Sequence, residues 1–99
     1  MTHNDPNWDE PDLRIGGYTL KQTSMACPEQ YDVLDGNGKQ AGYLRLRHGR
    51  FRADYPNCGD ETVYEANTKG DGMFDDDERM PELTKAVEAL DKAHRKVNT

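Results

Sequence analysis

The chain is poor in the residues that build large cores: Leu, Ile, Val and Phe together number fourteen of 99, below the roughly 20% under which a charged chain is suspected of disorder. That scarcity excludes several domains and leaves room for one small core. No apolar run approaches the ~18 residues that span a bilayer, and Met1 to Asp12 contains no apolar leader stretch, so the expected location is cytoplasmic, with no membrane partner. Positive charge is also in deficit. Thirteen Lys and Arg face nineteen Asp and Glu, a net charge of −6, which excludes a generally basic, duplex-coating protein. The two cysteines, Cys27 and Cys58, and the three histidines show neither C-x-x-C nor H-x-x-x-H spacing, so free thiols are expected rather than a metal site or a disulfide. No Walker, G-x-S-x-G or G-x-G-x-x-G pattern occurs, and His3, His48 and His94 fall in a tail, a turn and a helix end; no catalytic set and no cofactor follow.

Two acidic stretches invite a metal and fail on spacing. With Asp35 as the first position of a calcium loop, Lys39 falls at the fifth and Leu46 at the twelfth, where a bidentate Glu is required. Asp75, Asp76, Asp77 and Glu78 are read instead as solvated acid preceding a helix, matched to its positive end.

What is present is an aromatic middle. Five Tyr and two Phe lie between Tyr18 and Phe74, and in that span apolar and polar residues alternate, the mark of half-buried strands. Tyr18–Gln22, Tyr31–Leu34, Gly42–Arg47, Arg50–Tyr55 and Glu61–Ala66 read as strands. Asp35-Gly36-Asn37-Gly38 and His48-Gly49 read as the tight turns of hairpins, Asn37-Gly38 suiting a type I′ turn. Leu83, Val87 and Leu90, with Ala86, Ala89 and Ala93, lay one apolar stripe on a helix from Pro81 to Arg95, with Gly70–Arg79 as an exposed connection before it. The expected fold is α+β: an antiparallel meander of four to five strands with the C-terminal helix packed on one face, Leu44, Leu46, Phe51, Leu83, Val87 and Leu90 forming the core. A small closed barrel with the helix across one mouth is the alternative. Residues 1–12 read as a flexible acidic tail, in which Trp8 either pins the tail to the domain or anchors a partner, and 13–99 as one domain.

A two-residue loop at His48-Gly49 fixes which residues face each other. Leu46 then opposes Phe51 and Leu44 opposes Ala53 on the inner face, while Arg47 opposes Arg50 and Arg45 opposes Arg52 on the outer one. Like charges directly opposite destabilise a sheet by up to about 1 kcal/mol per pair, so local stability does not select this pattern. The candidate binding site is therefore Arg45, Arg47, Arg50 and Arg52, with Tyr43 and His48 beside them, forked guanidinium groups being suited to carboxylates and phosphates. The bland alternative is a solvated face balanced by Asp32, Asp54 and acid from the tail.

Leu20-Lys21-Gln22-Thr23, Pro28 to Val33, the run Gly42 to Arg52 with its Leu-Arg-Leu-Arg-His-Gly-Arg-Phe-Arg core, and Val63 to Ala66 together resemble a group of small acidic proteins of bacteria and their phages. No activity is attached to that group, so the resemblance implies a setting and not a site. Proteins of that setting often inhibit host enzymes, nucleases included. The expected function is a non-enzymatic protein-binding role, as an inhibitor of a nucleic-acid-processing or defence enzyme, since an acidic body can compete for a cationic channel. The alternative is direct binding of single-stranded nucleic acid or a phosphorylated ligand by the arginine face, with Tyr43 stacking.

Overall fold

The computed structural model describes residues 12–23 and 29–97; Trp8, His3, Cys27 and all but the last residue of the acidic tail lie outside them. Alternation does what it predicts. Six strands form, β1 (Leu13–Ile15), β2 (Tyr18–Gln22), β3 (Glu29–Leu34), β4 (Gln40–Arg47), β5 (Arg50–Tyr55) and β6 (Glu61–Asn67), followed by one helix, α1 (Asp76–Val97). The strands lie side by side in chain order, each pair antiparallel, as a six-stranded meander. The helix covers one face over β4, β5 and β6, giving a two-layer α+β domain and not a closed barrel. No helix among the described residues is both long and apolar enough to cross a membrane.

The sheet has one strand more than the four to five expected. Leu13-Arg14-Ile15 is too short to show a period, but Gly16 and Gly17 at φ 57° and 86° make a two-residue turn that returns Ile15 opposite Tyr18, the geometry a tight hairpin requires. The β3–β4 turn differs from the type I′ expected. Only Gly38, at φ 81°, takes the left-handed conformation there, and the Asp35 carboxylate caps the turn by accepting from the Asn37 and Lys39 amides. His48 (φ 54°) and Gly49 (φ 74°) do adopt the paired positive φ of a two-residue turn.

Helix α1 begins five residues before the expected Pro81, which lies inside it. The start is fixed upstream: the Asp75 carbonyl accepts from the Glu78 and Arg79 amides. The Glu78 carboxylate reaches back to the amides of Asp75, Lys69 and Gly70, a reciprocal cap of the kind that ends fraying at a helix N-terminus. The connection before the helix is exposed at Asp71, Met73 and Asp75, as expected, but is tied down at Gly70 and Phe74, both buried.

The core is the inner sheet face against one helical stripe. Leu20, Val33, Leu44, Leu46, Phe51 and Ala53 meet Leu83, Ala86, Val87 and Leu90, all buried. Phe51 stacks edge-on against Phe74 and Tyr64 at 4.8 and 6.0 Å. Gly42 permits the close approach of the layers, because a Cβ there would lie 2.5 Å from Leu90 Cδ1. One charge is buried with the core. Glu29, 2% exposed, accepts from Tyr31 Oη, the Phe74 amide and Arg79 Nε and Nη2, and so fastens β3 to the start of α1.

With the helix on one side, the opposite sheet face is left open. The register lays its side chains in rows across the strands: Lys21, Asp32, Tyr43 and Asp54 in one, Gln30, Arg45, Arg52 and Glu65 in the next, Arg47, Arg50 and Asn67 in the last.

Candidate functional site: the arginine face of the β4–β5 hairpin

The pairing deduced from the His48-Gly49 turn is the pairing observed. Leu44 faces Ala53, Arg45 faces Arg52, Leu46 faces Phe51 and Arg47 faces Arg50. Because strand side chains alternate, burying the leucines forces the four arginines onto the open face. There Arg45, Arg47, His48, Arg50, Arg52 and Glu65 line one concavity of about 410 Å³. Tyr43 shares the face but not the concavity: it lies one row away, its hydroxyl donating to Gln30 Oε1 at 2.6 Å. Burial first, then the neighbouring Cys58 thiol, raises its pKa above the usual tyrosine value. Cys58 itself is free and exposed.

The counter-charges are unequally shared between the two strands. On β5, Arg52 Nε lies 3.1 Å from Oδ1 of the buried Asp54, an ion pair whose N–H is not aimed at that oxygen. Asp54 is held in place by Thr62 Oγ1 and the Gly59 amide. Arg50 Nη1 lies 4.0 Å from Glu65 Oε1, both side chains well exposed. On β4, neither Arg45 nor Arg47 has an ion pair among the described residues, and Arg45 Nε is buried with no acceptor at all. Asp32, a candidate balance for this face, accepts from Gln40 Nε2 instead.

A buried guanidinium N–H without an acceptor costs on the order of 1–3 kcal/mol, and opposed like charges add to that cost. Four guanidinium groups on this face stand beside two carboxylates, Asp54 and Glu65. Forked donors in two adjacent rows can bind carboxylates or phosphates bidentately.

A second polar cluster escaped the sequence reading. His94 Nε2 lies 3.0 Å from Asp35 Oδ2, and His94 Nδ1 lies 2.8 Å from Tyr55 Oη. The rings of Tyr18 and Tyr55 pack edge-on against the imidazole, and Tyr18 Oη donates to Asp91 Oδ1 at 2.7 Å. Burial, then the Asp91 carboxylate, pushes Tyr18 up to about 12. These contacts clamp the β3–β4 turn and β5 to the last turns of α1. The separation of 59 residues between Asp35 and His94 left no local signal. No group of three or more His, Cys, Asp or Glu among the described residues is placed to hold a metal ion.

No protein-family model matches the chain, and neither a curated protein nor a solved structure shows significant similarity to it.

Proposed function

We propose that this chain is a non-enzymatic binding protein that docks on another protein through the arginine face of β4 and β5. The observation that carries this reading is the convergence of four arginines on one concavity of the open sheet face, two of them without counter-ions among the described residues, in a chain of net charge −6. An acidic body repels an extended polyanion at long range, while a local guanidinium cluster still captures a few carboxylates at contact distance. The function class expected from the sequence, inhibition of a nucleic-acid-processing or defence enzyme, fits this reading. The acids at the start of α1 add to the negative body that such an enzyme's cationic channel attracts.

The decisive experiment is affinity capture from the source cell with two baits, wild type and Arg45→Gln with Arg47→Gln, followed by mass spectrometry. Glutamine keeps the side-chain stems on the sheet and removes the charge. A protein retained by wild type and lost by the variant supports the reading; identical partners on both baits contradict it. A second reading, capture of single-stranded nucleic acid, has Tyr43 beside Arg45 in its favour. It predicts retention of a labelled single strand with an affinity that falls steeply with salt.

A further inference from the structure

The arginines of the face are not equivalent. Those on β5 already sit beside this chain's carboxylates, Arg52 beside Asp54 and Arg50 near Glu65. Those on β4 have no such carboxylate among the described residues, while a buried Nε without a hydrogen-bond acceptor is common to both strands, at Arg45 and at Arg52. Arg45 and Arg47 are two residues apart on one strand and point to the same face, so their side chains leave the sheet about 6.8 Å apart, twice the rise of an antiparallel strand. Alternate residues of any extended peptide are spaced by that same interval. Carboxylates, moreover, are what the concavity already contains: Glu65 lines it from β6. A single-stranded nucleic acid would want several stacking surfaces, and the one tyrosine on this stretch of the face has its hydroxyl tied to Gln30.

From this spacing and charge we infer that the concavity takes an extended acidic segment of a partner protein, lying along β4, with carboxylates at alternate positions seated on Arg45 and Arg47. This rests on the docking role proposed above and adds the conformation and charge pattern of the docked segment. Arg50 and Arg52 flank the segment and extend the positive field. Acidic residues at adjacent positions of an extended chain point to opposite sides, so only one of the two can reach the face.

The test uses the full chain and short, capped, Thr-rich peptides of identical composition, carrying two glutamates either separated by one residue or adjacent, with binding followed by fluorescence anisotropy at low salt. The alternating peptide is expected to bind about tenfold more tightly than the adjacent one. Arg45→Gln with Arg47→Gln should abolish that preference, and Arg47→Gln alone, at an exposed position, should reduce it. Equal affinity for the two peptides, or a preference that survives in the double variant, overturns the inference while leaving the docking role standing. A single-stranded oligonucleotide that outcompetes the alternating peptide also overturns it, in favour of a nucleic-acid ligand. No binding of any anionic probe to the wild type removes both this inference and the docking role.

Discussion

Glu29 shows how one side chain can decide where two layers meet. Burial alone would raise its pKa, but hydrogen bonds from Arg79, Tyr31 and the Phe74 amide outweigh it and hold the carboxyl below the usual glutamate value of 4.5. Its stabilising contribution is therefore complete above about pH 4.5 and is lost as pH falls through the lowered folded-state value, because the unfolded chain takes up the proton first. The stability advantage of wild type over Glu29→Gln, from urea melts, should shrink steadily as pH falls from about 5 to about 3; a gap that stays constant would show that the fold does not lower the Glu29 pKa, and one that grows would show a carboxyl held neutral. Glu65 is the other informative carboxylate. It lines the concavity and competes with any incoming anion, so Glu65→Gln should tighten binding of the alternating glutamate peptide several-fold. Weaker binding would mean that Glu65 orients the arginines rather than occupying their site. Parity made Glu29 legible in principle, since it shares the inner phase of Tyr31 and Val33. Its partner Arg79, fifty residues away, was not legible.

The elements themselves were largely written in the pattern. Tyr18–Gln22 and Arg50–Tyr55 coincide with strands at both ends, because each alternates cleanly and abuts a two-residue turn. The helix was misplaced at its start because Pro81 is a strong N-terminal signal, while the cap that prevails, Asp75 with Glu78, lay in a run of acids that reads as solvation. Gly42 was unremarkable in the sequence and is decisive in the packing. Gly42→Ala should cost about 1–3 kcal/mol, the range for overpacking, since Leu90 is in the way. In a double-mutant cycle with Leu90→Ala, itself costing about 2–5 kcal/mol, the two losses should be less than additive. Additive losses would show that the layers do not meet there.

At the scale of the molecule, the fold separates two chemistries. The helix side closes the apolar face of the sheet, and the sheet's other side carries an arginine cluster of which two members have no ion pair among the described residues. That cluster was legible because a two-residue turn fixes strand parity, and parity fixes faces. The distribution of counter-ions was not, because it depends on which carboxylates β5 and β6 bring across. Sequence alone makes Arg47 and Arg52 an equivalent pair to remove. The structure shows that removing Arg52 strips a buried Asp54 of its ion-pair partner, whereas Arg45 and Arg47 can lose their charge without orphaning an acid among the described residues. The central claim is that these two arginines are there to bind and not to hold the fold. It is tested most directly by two-dimensional amide NMR on wild type and Arg45→Gln with Arg47→Gln, thermally melted in parallel and titrated with the alternating glutamate peptide. The account predicts a double variant at least as stable as wild type, and peptide-induced shifts centred on residues 43–54 of wild type that vanish in the variant. A destabilised variant, or shifts that are unchanged in it or lie elsewhere, would contradict it.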